Sequence, residues 1–154
     1  MAGKNHIERS FRLLFDDSGG TARDLSGDLV AGSVNGGGLV FDEANMHGVS
    51  ELVVNFLAGH ANSTITANFR MNDTATTGAT TVLNGQMPSA SVTGIGTLAL
   101  QWGQNGAAPT SGDPEWEGEY IMVRNEVSPA DGGFIHSVTW RPTGSTAPAW
   151  GTVS

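Results

Sequence analysis

The chain has 154 residues, of which 38% are hydrophobic and only 14% charged, with 22 Gly and 6 Pro. That amounts to one domain with a core, many turns and little room for long helices. The formal net charge is −8 and the seven basic residues (Lys4, Arg9, Arg12, Arg23, Arg70, Arg124, Arg141) are scattered, which excludes a protein that grips nucleic acid through its phosphates. There is no Cys, so disulfides and thiolate metal sites are excluded. No apolar run approaches the roughly 18–20 residues that span a bilayer. Met1 to His6 lacks the apolar stretch of a signal peptide, so folding in a cytoplasm is expected.

In chain order, Ile7 to Phe15 alternates, with Phe11, Leu13 and Phe15 on one face. Asp16-Asp17-Ser18-Gly19-Gly20 reads as a tight turn, because Asp and Ser bond their own backbone and Gly accepts positive φ. A short strand is expected near Asp28 to Val34, broken by Gly36-Gly37-Gly38, and another from Leu39 to Asn45. Val49, Leu52, Val53, Phe56 and Leu57 fall at helical spacing, with Glu51 in the first turn and Gly59 as a terminal cap; they predict a helix over 49–58. It is too short to stand alone and must lie on a sheet.

Thr64 to Asn72 is the clearest strand: Ile65, Ala67, Phe69 and Met71 alternate with Thr66, Asn68 and Arg70. Thr74 to Thr81 is either a loop or the approach to a short helix ending near Leu83. Gly96 to Trp102 is a strand, and Gly103 to Pro114 a loop by composition. Glu115 to Val127 forms a long strand, Gly132-Gly133 a turn, and Phe134 to Arg141 the last strand. Pro142 to Ser154 is a Gly/Pro/Thr-rich tail with one anchor, Trp150. The sum is a mainly β chain, an antiparallel sandwich or barrel with one short flanking helix, in a single domain over 1–154 with a flexible N-terminus (1–5) and C-terminal tail (142–154).

Chemistry is sparse. None of the four His (His6, His47, His60, His136) pairs at the i, i+4 spacing of a helical zinc site. His136 shares a strand face with Phe134, Val138 and Trp140 and reads as a packed core or interface residue. Glu115, Glu117 and Glu119 point the same way along one strand. They form a solvated face, a hard-cation or paired-carboxylate site, or the lining of a channel, with the solvated face preferred. Asp16 to Gly20 lacks the ligand pattern of a calcium loop, and Gly36 to Gly38 lacks the Lys-Ser/Thr of a phosphate loop. No nucleophile elbow is present. The four Trp could stack sugars but more often fill cores or subunit interfaces. No cofactor, no metal and no enzymatic activity are expected.

Three segments together resemble the tail tube (major tail) proteins of long-tailed phages. The first is the opening strand with Asp16-Asp17-Ser18-Gly19-Gly20 and the step Arg23-Asp24-Leu25-Ser26. The second is Met46-His47-Gly48, the stretch Val49 to Ala58, Gly59, and the strand Ser63 to Asn72 ending in Asn72-Asp73. The third is the long strand, Gly132-Gly133, Phe134 to Trp140 and a Gly/Thr/Trp terminus. The resemblance implies a structural virion protein, made in the host cytoplasm, whose subunits form stacked, usually hexameric rings around a channel through which DNA passes without specific binding. It implies partners in further copies of the chain and in terminator, tape-measure and tail-tip proteins, with no membrane. Glu115, Glu117 and Glu119 would then line the lumen, and Phe11, Phe41, Phe56, Phe69, Trp102, Trp116 and Trp140 would supply core or subunit-interface contacts. A tail terminator or head decoration protein is the nearest alternative, and a carbohydrate-binding β-sandwich the alternative of another class.

Overall fold

A computed structural model describes residues 10–45, 56–130, 132–143 and 146–154. The chain runs β1 (Phe11–Asp16), β2 (Ala22–Asp24), a 3-10 turn (Ser26–Asp28), β3 (Val40–Asn45), β4 (Phe56–Asn62), β5 (Ile65–Arg70), α1 (Ala79–Gly85), β6 (Ile95–Trp102), β7 (Pro114–Ala130), β8 (Gly133–Pro142) and β9 (Ala149–Thr152). Seven strands make one antiparallel sheet in the order β2-β1-β6-β7-β8-β5, with β9 added to β7, while β3 and β4 form a separate antiparallel pair.

The sheet curls until its two edges are joined by the segment that follows β2. The Leu25 amide bonds the Leu13 carbonyl on β1, while the Val30 amide bonds Asn68 and Asn35 exchanges both backbone bonds with Thr66 on β5. A strand was expected over Asp28 to Val34. Only isolated bridges form there, Leu29 to Phe69 and Asn35 to Thr66. Between them the Ser33 amide turns back to Val30, with Gly32 at φ 72°, a conformation that interrupts a ladder and suits Gly.

The interior is filled from five strands of the curl. Leu13 and Phe15 (β1), Ile65, Ala67 and Phe69 (β5), Leu98 and Leu100 (β6), Trp116, Tyr120 and Met122 (β7), and Val138 and Trp140 (β8) form one buried cluster with Leu25 and the helix. Period-two alternation puts these residues on one face of each strand. Phe15 and Phe69 meet Trp140 edge-on at 5.4 and 6.0 Å between centroids, an arrangement worth about 0.5–1.5 kcal/mol per pair beyond area burial.

The helix expected over 49–58 is not found at its C-terminal end. Phe56, Leu57 and Ala58 are extended in β4 and pair with Asn45, Ala44 and Glu43 of β3; residues 49–55 lie outside the described residues. Gly59, read as a helix cap, sits with His60 opposite the single residue Asp42, where the register shifts between Phe41 and Glu43. A bulge in a strand is a common place for Gly. α1 instead follows the Thr-rich stretch, burying Ala79, Val82 and Leu83. Seven residues cannot hold a helix alone; burial of Val82 and Leu83, about 1.5–3 kcal/mol each, supplies what propensity does not. The Asp28 carboxylate also accepts the Ala79 amide at the helix start (2.9 Å) and both contacts of the Asn72 amide (2.9 and 3.0 Å).

Two further departures concern the ends of strands. Met71 was placed on the buried face with Phe69, but β5 ends at Arg70 and Met71 is 47% exposed. The tail was expected to be loose from Pro142, yet Ala149–Thr152 pairs with Pro114 to Glu117 at the start of β7.

Candidate assembly surfaces

β7 organises the molecule. Its first half, Glu115 to Ile121, pairs with β6, its first four residues also with β9, and its second half, Tyr120 to Ala130, with β8. On the outer face, register brings Glu117 beside Ala99 and Leu14, Glu115 beside Gln101 and Arg12, and Glu119 beside Thr97, whose amide donates to the Asp16 carboxylate (3.0 Å). The sheet therefore presents Asp16, Glu115, Glu117 and Glu119 on one surface.

These carboxylates differ in how they are held. Glu115 accepts from the Gln101 amide at 2.5 Å, and Glu119 accepts the Thr146 backbone amide at 2.9 Å. Partial burial, with the Glu115 and Asp16 charges nearby, pushes the Glu117 carboxyl above its ordinary value. Removing solvent and adding like charge both disfavour the ionised form. No group of three or more His, Asp or Glu among the described residues is arranged to hold a metal ion.

The aromatic candidates separate by position. Trp116, Trp140 and Phe69 are buried. Trp116 donates its indole N–H to the Tyr120 hydroxyl (2.8 Å), which also bonds Ser63 (2.7 Å). Phe11 and Trp102 are partly buried against the core at one end of the barrel. Phe41 lies in β3 opposite Ala61, and Phe56 opens β4 opposite Asn45. Trp150, which the sequence offered only as an anchor, completes a run of rings: Phe11–Trp102 at 5.8 Å, Trp102–Trp150 at 5.4 Å and Trp150–Trp116 at 5.2 Å. Its own exposure is 60%, so it ends this run at the surface. A groove beside the run is lined by Phe11, Leu29, Val34, Trp102 and Arg70.

The far end of β7 carries a second exposed apolar set. Val123, Val127 and Phe134 are each about half exposed on the β7–β8 hairpin. Phe134 was expected to share the buried face of His136. It lies beyond the end of β5, where the Met71 amide still reaches its carbonyl. His136, Val138 and Trp140 are buried. The Asp17 turn is explained internally: its carboxylate accepts the Gly19 and Thr21 amides and the Arg23 guanidinium, so its pKa is held below the ordinary value by the Thr21 amide first and Arg23 next. Among the described residues no helix is long and apolar enough to cross a membrane.

No family description and no curated protein matches the sequence. Two solved structures share the whole fold. One is a chain of the sheath–tube complex of an extracellular contractile injection system (PVC) in its extended state, 10% identical, with 99% of each chain covered and a TM-score of 0.61. The other is a chain from the tail of an empty GTA particle solved by helical refinement with C6 symmetry, 10% identical, covering 99% of this chain and 100% of that one, at a TM-score of 0.58. The fold, mainly β and antiparallel with one α-helix among the described residues, is thus like that of chains in a sheath–tube complex and in a particle tail.

Proposed function

We propose that this chain is a structural subunit of a tail tube, which self-assembles into stacked, hexameric rings around a channel that DNA traverses, within a virion built in a bacterial cytoplasm. The observation that carries the reading is the end-to-end match of the fold to components of tubular tail assemblies, with 99% of this chain superposed in both cases. The tail of the GTA particle has C6 symmetry, which supports rings of six. In this reading the surface of Asp16, Glu115, Glu117 and Glu119 faces the lumen, where fixed negative charge repels phosphate and keeps DNA from adhering. The apolar sets at the two ends of β7, Trp150 with Trp102 and Val127 with Phe134, serve contacts between subunits. Other tail proteins are partners at the ends of the tube, and the role is structural, not enzymatic.

The test is negative-stain electron microscopy of the purified, concentrated chain. Hollow tubes or stacked rings are the expected result, and charge reversal at Glu115, Glu117 and Glu119 should then leave tubes whose lumen retains DNA fragments. Stable single rings would move the assignment to a tail terminator. A monomer that binds sugars would overturn it.

A further inference from the structure

His136 is fully buried, and both of its ring nitrogens have polar partners. Its Nδ1 lies 2.8 Å from Asn125 Oδ1 and its Nε2 3.0 Å from Thr80 Oγ1. Asn125 uses its Nδ2 to donate to Asn84 Oδ1 (3.1 Å), so its oxygen accepts, and Nδ1 carries the proton. Thr80 Oγ1 already accepts the Asn72 backbone amide (2.9 Å), leaving its hydroxyl proton to be donated to Nε2. These bonds match both nitrogens of a neutral Nδ1–H ring, and the ring joins α1 (Thr80, Asn84) to β7 (Asn125) through β8.

The contact depends on one irregularity. Between Met122 and Arg124 the register of β7 against β8 shifts by a residue at Val123. Without that bulge Arg124 would take the inward position; with it, Asn125 and Val127 turn toward His136, and Arg124 and Glu126 point away and pair with each other. A bulge that re-aims a side chain is a built feature.

We propose that His136 is an acid-operated latch: neutral, it pins α1 to the distal half of the β7–β8 hairpin, and protonated, it releases both. An added proton on Nε2 faces a hydroxyl whose own hydrogen must then swing away from its only bond to the ring. Among the described residues no compensating anion faces the ring. α1 has no ionisable side chain; β5 presents Phe69 in register with His136, with Arg70 on the opposite face; β7 presents Asn125 and Val127; Asp73 is exposed. Asp28 connects only indirectly, through Asn72. Burial lowers the His136 pKa below 6.5. The unfolded or released ring binds a proton more readily than the latched one, so stability falls as pH drops below 6.5 and stops falling below the latched pKa. The latch rests on the interior of one chain and is independent of the tube reading.

The experiment is long-range proton–nitrogen NMR of the full chain, with the ring signals assigned by comparison with His136→Gln, combined with amide exchange at pH 7 and 5 corrected for intrinsic rate. The expected result is an Nδ1–H tautomer that titrates below 6.5. Exchange should accelerate selectively at Thr80 to Leu83 and Arg124 to Val127, up to about tenfold per pH unit below 6.5. Asn125→Asp places a carboxylate on Nδ1; it should raise the titration by about 1 unit or more and suppress the acid-induced exchange. Should His136→Gln fail to fold, Asn125→Asp and the native titration carry the test. An Nε2–H tautomer, titration at or above 6.5 in the native chain, or an unchanged acid response in Asn125→Asp would each overturn the latch.

Discussion

Trp116 and Tyr120, four residues apart on the inner face of β7, are joined by a 2.8 Å bond from the indole N–H to the phenol oxygen, and Ser63 closes the other side of that oxygen at 2.7 Å. All three are buried. Tyr120→Phe keeps the ring but strands the Trp116 donor and the Ser63 hydroxyl. A buried polar group left unmatched costs about 1–3 kcal/mol. Urea unfolding should show a loss in that range with an unchanged m value; a loss below about 0.5 kcal/mol would mean that neither bond matters to the core.

Asp28 holds the start of α1 from a distance in sequence, accepting the Ala79 amide and the Asn72 side chain. Asp28→Ala should destabilise the fold by about 1–2 kcal/mol, as loss of a helix cap does, and Asp28→Asn should recover part of it. Equal losses in both variants, measured by denaturant titration, would show that the acceptor oxygens are not the reason.

Gly118 has no room for a side chain. A Cβ there would lie 2.5 Å from Pro148 Cα and 2.8 Å from its nitrogen, so Gly118→Ala must push the C-terminal segment off β7. A cost of about 1–3 kcal/mol is expected for such overpacking. Faster proteolysis between Arg141 and Trp150, with a red-shifted Trp fluorescence as Trp150 leaves Trp102 and Trp116, would report the detachment.

Glu117 bears on pH. Its folded pKa is raised by partial burial and then by Glu115 and Asp16. The folded chain thus holds this proton more tightly than the unfolded chain. Stability falls as pH rises through the window between 4.5 and the folded value, and the whole penalty is present above it. Glu117→Gln should therefore raise the melting temperature at pH 7 and flatten its fall across that window. A lower melting temperature at pH 7 would contradict this.

The strands that alternate cleanly were legible because each has one face in the core: Leu13 and Phe15, Ile65 to Phe69, Leu98 and Leu100, and Val138 with Trp140. At Phe56 to Ala58 the helical spacing misled, because apolar residues at that spacing also fit a strand, and these three take their partners from β3. α1 was obscured by Thr, a poor helix former; its signal was Ala79, Val82 and Leu83 at i, i+3 and i+4. β9 gave no alternation because all four of its residues are exposed. The shared face of Glu115, Glu117 and Glu119 was readable from spacing, but Asp16 joins them only through the register of β1, β6 and β7. The pairing of His136 with Asn125 was unreadable, since a bulge at Val123 leaves no mark in residue pattern.

The three-sided pairing of β7 has a consequence for synthesis. β6, β8 and β9 all close on this one strand, and two of them lie after it in the chain. While the ribosome is still translating past Ala130, the edge of β7 that will receive β8 and β9 is bare, with its amides and carbonyls open to any strand nearby. A sheet of this topology cannot close before its C-terminal strands emerge. Copies truncated before Phe134 are then expected to be left for proteases, which protects any assembly of these chains from defective members.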